Sequence, residues 1–113
     1  MSCIFCQIVA GKIPVDIVYQ DKDFVAFRDI NPQAPVHIVI IPRSHIPSIA
    51  DASEDQAELI GRWLLTAPKV AAKEKIARTG YRLIINYGAD ANLIVPHLHL
   101  HLVGGRKLTD SAG

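Results

Sequence analysis

Near its C-terminal end the chain reads Pro96-His97-Leu98-His99-Leu100-His101-Leu102-Val103-Gly104-Gly105, with three of its five histidines in strict alternation with leucine. A period of two is that of a β-strand, whose successive side chains point to opposite faces. Leu98, Leu100 and Leu102 are therefore predicted to enter a core beneath a helix. His97, His99 and His101 are predicted to line the other face in a row, about 7 Å apart. Three imidazoles do not pack as ordinary core, because burying a polar ring without a partner costs several kcal/mol. Each needs a hydrogen-bonding group, a metal or water. Three readings stand side by side. The row is a solvated strand face, or a metal site in which His-x-His supplies two ligands, or a phosphoryl site. In the last, one ring attacks while a neighbour handles a proton, as imidazole can near neutrality.

The rest of the pattern supplies the sheet for such a strand. Residues 3 to 10 read as a short helix ended near Gly11 and Pro14. Residues 15 to 20 and 23 to 29 alternate and are joined at Asp21-Lys22, which predicts a hairpin. Residues 31 to 35 are turn-rich, and residues 37 to 42 form a third strand. Ser53 and Gln56 have capping-box spacing. After them Ala57, Leu59, Ile60, Trp63, Leu64, Ala67, Val70 and Ala71 recur at helical intervals, predicting one long helix over residues 54 to 77, kinked or broken at Pro68. Thr79-Gly80 ends it. Residues 81 to 86 form a fourth strand and residues 97 to 105 a fifth. The expected class is α+β with an antiparallel five-stranded sheet, one long helix and one short.

A chain of 113 residues, half of them hydrophobic and a fifth charged, holds one domain over residues 1 to 113. The net charge of +1, with no basic run, gives no nucleic-acid-binding stripe. No segment has the length and apolarity of a membrane span or a signal peptide, so the expectation is a cytoplasmic protein. In a reducing compartment Cys3 and Cys6 are not expected to form a disulfide. By itself Cys3-x-x-Cys6 fits a redox pair, half a zinc site, or two buried thiols.

The motif His97-Leu98-His99-Leu100-His101-Leu102-Val103 resembles the signature of the histidine-triad (HIT) superfamily. Ile4-Phe5, residues 11 to 14, the stretch 26 to 35, His37, residues 41 to 45, Tyr81-Arg82, Asn86, Gly88 and Gly104-Gly105-Arg106 are similar to its Hint branch over nearly the whole chain. The resemblance implies a homodimer whose sheet continues across both protomers. It implies hydrolysis of purine nucleoside 5′-phosphoramidates, of the AMP or GMP type, through a nucleotidyl-histidine. It makes His99 the nucleophile, with His37 and His101 holding phosphate and orienting His99, and the backbone at His97 fixing the His99 tautomer. Asp29 would bond the ribose hydroxyls. Ile4, Phe5, Ile8, Ile13, Phe27 and Ile30 would form the base slot, with Asn86 beside the phosphate. No catalytic metal is then required. Some members pair an N-terminal Cys-x-x-Cys with two histidines around a structural zinc, and here the four ligands would be Cys3, Cys6, His45 and His97.

Residue by residue the bland alternatives are clear: Asp29 as a turn residue before Asn31-Pro32, Phe27 and Ile30 as core, His45 as a solvated loop residue. The chain departs from the family where Leu93 and Ile94 stand in place of a polar pair near the scissile phosphorus. That leaves a nucleotide-binding scaffold with vestigial chemistry, and a dinucleoside polyphosphate hydrolase, as alternative outcomes. Residues 107 to 113 read as a loosely held tail.

Overall fold

The structure is a computed structural model and describes residues 3–112. Five strands form one sheet: β1 (Ile17–Gln20), β2 (Phe24–Arg28), β3 (Val36–Pro42), β4 (Tyr81–Ile84) and β5 (Leu100–Gly104). Their spatial order is β1-β2-β3-β5-β4, and every neighbouring pair is antiparallel. The strand that ends the triad thus lies inside the sheet, between β3 and β4. The long helix α2 (Ala57–Lys73) covers one face, and the short helix α1 (Ile4–Val9) packs on the other. The α+β class and the antiparallel sheet are as the sequence pattern predicts. Among the described residues no helix is long and apolar enough to cross a membrane.

The sheet separates two apolar clusters. On the α2 side Phe24, Ala26, Ile38, Ile40, Leu100 and Leu102 pack against Trp63, Ala67 and Val70. On the other side Val25, Phe27, Val39 and Ile41 pack with Ile8 of α1. Alternation along β2, β3 and β5 assigns each residue to its side. The leucines go where their period sends them, since Leu98, Leu100 and Leu102 are all buried in the α2-side core.

Several boundaries differ from the sequence reading. The fifth strand pairs only from Leu100, opposite Ile40, although β3 itself runs on to Pro42 beside β2. The Leu98 amide instead donates to the carbonyl of Ile46, in the loop after β3. His97 and Leu98 keep the alternation without the ladder. The long helix starts at Ala57, behind a 3₁₀ turn (Glu54–Gln56) that carries the expected Ser53–Gln56 capping box. It stops at Lys73, short of the expected residue 77. Lys75 adopts a left-handed conformation (φ 64°), and the Ile76 and Lys75 amides donate back to the Ala71 and Ala72 carbonyls. This is a Schellman closure built on lysine in place of the usual glycine, and no sequence signal marked it. Nor does Pro68 break the helix, which runs through it. Pro68 and Leu64, whose carbonyl loses its partner, both lie on the solvent side, where water can replace the bond.

The indole of Trp63, fully buried, donates to the Ile40 carbonyl at 3.0 Å and so ties α2 to the centre of the sheet. Replacing it with phenylalanine keeps an aromatic ring but leaves that carbonyl short of a donor and opens space beside it. Trp63→Phe should lower unfolding free energy by about 1–3 kcal/mol. An unchanged urea midpoint would show that the indole contributes nothing beyond its bulk.

Candidate active site

Each imidazole on the triad face has its proton position set by a neighbour. His99 turns Nδ1 to the carbonyl oxygen of His97, at 2.7 Å. A carbonyl only accepts, so Nδ1 carries the proton and Nε2 is left with its lone pair. His37, on β3, receives the Gln33 amide on Nδ1 at 3.0 Å, which puts its own proton on Nε2. That nitrogen lies 2.9 Å from Nδ1 of His101 on β5. His101 therefore accepts on Nδ1 and carries its proton on Nε2. His37 and His101 are diagonal neighbours across the β3–β5 pairing, in which His37 faces Val103 and Val39 faces His101. The outcome is one basic nitrogen, on His99, beside one donor nitrogen, on His101. Their rings meet edge to face with centroids 5.2 Å apart.

His99 and His101 lie at one end of a cavity of about 560 Å³. Its walls include Ile4, Phe5, Ile8, Ile13, Phe27, Asp29, Ile30 and Asn86. The residues expected to meet base and ribose, with Asn86, His99 and His101, thus share this one cavity, and His37 does not line it. Phe5 touches the rings of both Phe27 and His99 edge-on, at 5.8 and 5.1 Å. Ile30 is 95% exposed, so it forms a rim rather than a floor, which corrects the core alternative for that residue. Phe27 is both core and wall. His37 touches the cavity's lining through His101 and Asp29.

Asp29 follows β2 and combines two roles. Its Oδ1 accepts from the Asn31 amide at 2.8 Å, the turn role, while Oδ2 lies 3.4 Å from His37 Nε2 and 3.9 Å from His101 Nδ1. Pro14, Val15, Val39, Asn92, Ile94 and Val95 also line the cavity. Of these, Val39 was readable, since it lies two residues after His37 on the same strand face; the loop residues carried no pattern. Of the two departures from the family, Ile94 lies on the cavity rim and is 87% exposed, whereas Leu93 is not part of the lining.

His97 belongs to a different group. It is fully buried, and Nε2 donates to the Pro42 carbonyl at 2.9 Å. Nδ1, left with its lone pair, faces Cys3 Sγ at 3.3 Å, Cys6 Sγ at 3.6 Å and His45 Nδ1 at 3.2 Å. Cys6 Sγ is also 3.3 Å from His45 Nδ1. A tetrahedral zinc, with bonds of about 2.0–2.1 Å to nitrogen and about 2.3 Å to sulfur, separates its donors by roughly 3.3–3.8 Å. Cys3, Cys6, His45 and His97 are therefore close enough to hold a metal ion and are compatible with zinc. A ligating histidine whose other nitrogen donates to a backbone carbonyl is the usual arrangement in such sites. Burial, then the adjoining Cys3 thiol, pushes the Cys6 thiol up, so a cation that binds there must displace the Cys6 proton.

Asp29, His37 and His101 also bring donor atoms within 4.8 Å of one another. That trio does not suit a metal, because the Gln33 amide leaves the proton of His37 on the nitrogen that would have to ligate. Side-chain polar atoms buried without a partner are absent among the described residues, so the requirement that every imidazole be satisfied is met.

Residues 10–108 match the family model for the HIT domain. The chain belongs to the HIT family. It is 50% identical over 105 residues to the purine nucleoside phosphoramidase of Escherichia coli K12, a match covering 93% of this chain and 88% of that protein. Its structure superposes on a HIT family hydrolase from Legionella pneumophila with a TM-score of 0.96 at 46% identity, covering 99% of this chain and 100% of the other. A histidine triad protein from Clostridium difficile matches with a TM-score of 0.94 at 38% identity, covering 98% and 96%. The HIT fold and hydrolase kinship agree with the expectation from the triad motif.

Within this HIT domain the His101 imidazole is pushed down to about 4, chiefly by burial, then by the charges of His99 and His37, with Asp29 pulling the other way. A histidine whose folded value lies below its unfolded value of about 6.5 takes up its proton first in the unfolded chain. Its contribution to stability is present above about pH 6.5 and is lost as pH falls toward 4, by at most about 1.4 kcal/mol per pH unit. His101→Gln should flatten the fall in stability between pH 6.5 and 4.5. Equal slopes for both proteins in denaturation at several pH values would contradict the assignment.

Proposed function

We propose that this HIT protein hydrolyses purine nucleoside 5′-phosphoramidates through a nucleotidyl-histidine intermediate, the reaction type named for its Escherichia coli relative. The observation that carries the reading is the fixed tautomer of His99: an unprotonated Nε2, held by the His97 carbonyl, at the end of an apolar cleft. The base lies between the isoleucine and phenylalanine side chains, which favours a flat ring and discriminates little between purines. Asp29 receives the ribose hydroxyls, because a carboxylate only accepts and each of its oxygens has room for two donors. The phosphoryl oxygens face His101 Nε2–H, with Asn86 nearby. His99 Nε2 attacks phosphorus, the amide nitrogen takes a proton from solvent at the open cleft mouth, and the P–N bond breaks to release the free amine. The resulting imidazolium keeps its Nδ1–H on the His97 carbonyl. Water then attacks phosphorus, the bond to Nε2 breaks, and the proton of the water passes to solvent.

Zinc is the ion this reading assigns to Cys3, Cys6, His45 and His97, where its chemistry is to cross-link α1 to the sheet. His97 then acts through its ligand nitrogen and its carbonyl, not as an acid or base. A homodimer with a continuous sheet is supported by β4, which ends the sheet as an edge strand and leaves Leu83 exposed. A cytoplasmic setting accords with two free thiols.

His99→Ala should lower turnover of adenosine 5′-monophosphoramidate at least about a thousandfold while AMP still binds. Acid quenching should trap a nucleotidyl-protein in the wild type only. Turnover that survives the substitution would remove the histidine-nucleophile mechanism and favour a binding protein. The rim position of Ile94 makes a second test. Ile94→Ser should change kcat/KM by about tenfold, since a hydroxyl there reaches the departing amine. Leu93→Gln, off the cavity, should leave it within about twofold. A larger effect at Leu93 than at Ile94 would contradict that placement.

A further inference from the structure

The four-donor cluster and the cleft share parts. His97 offers Nδ1 to the cluster, and its carbonyl oxygen accepts from His99 Nδ1–H, with nitrogen and oxygen 2.7 Å apart. Phe5 lies between the two thiols in sequence, and its ring meets both His97, at 5.8 Å, and His99, at 5.1 Å. Ile4, Phe5 and Ile8 on the same helix form one wall of the cleft. The helix that carries half the ligands is thus a wall of the site, and the residue that carries a third ligand holds the nucleophile.

This helix is six residues long. One and a half turns do not sustain themselves in water, so its position is set by what fastens it. Without a cation, the fastening at its start consists of thiols and imidazoles in weak hydrogen bonds, since sulfur is a poor donor and a poor acceptor. The cluster is also open on one side. Cys3 and His97 are buried, but Cys6 is half-buried and His45 is exposed. An ion can enter and leave past His45 without the core opening.

We propose that this cluster is an effector site, at which a zinc-class cation sets the affinity of the cleft for a nucleoside monophosphate by fixing Phe5 and the His97 carbonyl. The inference rests on the nucleotide-hydrolase reading given above. Binding of the cation draws Cys3, Cys6 and His97 Nδ1 to one point. That holds α1 against the sheet, presses Phe5 onto His99 and leaves the His97 carbonyl a single orientation. Linkage requires reciprocity: the nucleotide must tighten the cation by the same factor.

The test uses the full chain, stripped with a chelator and reloaded with zinc. AMP affinity is measured by calorimetry in both forms, zinc affinity by competition with a chromophoric chelator with and without AMP, and the His99 tautomer by imidazole nitrogen NMR. The expectation is AMP binding at least about fivefold tighter in the zinc form, a typical lower bound for coupled sites, and an equal factor on zinc affinity. His99 should show one tautomer, protonated on Nδ1, with zinc and a mixture without it. His45→Ala, at an exposed position, should behave as the stripped protein, and His45→Cys, which restores a donor, should regain the response. Equal AMP affinity with an unchanged His99 spectrum overturns the proposal. So does a failure to bind zinc, or a stripped chain that unfolds, since the ion would then be structural only. If AMP binds neither form, the nucleotide reading falls, while the His99 spectrum still decides the coupling.

Discussion

A neutral imidazole has one donating and one accepting nitrogen, and its surroundings decide which is which. The face that carries the triad depends on that choice being made four times in a consistent way. The Pro42 carbonyl takes the proton of His97, and the His97 carbonyl takes that of His99. The Gln33 amide orients His37, which in turn orients His101. All three outside partners are main-chain groups, so the tautomers are set by backbone geometry. A nitrogen with a free lone pair, on His99, then stands beside a donor nitrogen, on His101.

The sheet makes this possible by keeping two environments apart. Its α2 face is a conventional core around Trp63, and that core fixes the register of β3 and β5. Register decides the site, because a slip of one residue would turn the imidazoles inward and the leucines outward. The other face has a thinner apolar cover, and the short helix that provides it is fastened beside His97. Stability and chemistry are therefore carried on opposite sides of the same strands.

The parts of the site that come from periodicity were legible. The alternation at residues 97 to 102 separated leucines from histidines correctly, and the family resemblance assembled Asp29, Phe27 and the N-terminal isoleucines that no local pattern would have joined. A ladder along the whole triad was not correct: His97 keeps the face it was given, beside Phe5, but pairing with β3 begins only at Leu100 and the Leu98 amide bonds to Ile46. The helix end was missed for a related reason, since Lys75 takes a conformation that sequence assigns to glycine. Loop residues such as Asn92 and Val95 enter the cavity by fold alone.

The sequence by itself determined which residues share a face, since that follows from the two-residue repeat of a strand and needs no knowledge of neighbours. It also determined that each buried imidazole must find a partner, since the cost of leaving one without is fixed by its chemistry. Periodicity does not say who those partners are: the family resemblance named Cys3, Cys6 and His45 for His97, and only the tertiary structure supplied the Pro42 carbonyl, the Gln33 amide and the His37–His101 pair. Cys3 and His97 are 94 residues apart in the chain and 3.3 Å apart at their side chains. Proton positions on a ring depend on distances of that order, set by how β3, β5 and α1 pack together. The motif therefore names the histidines, and the fold sets one among four donors able to hold a metal, leaves one with a free Nε2 lone pair and makes one a donor.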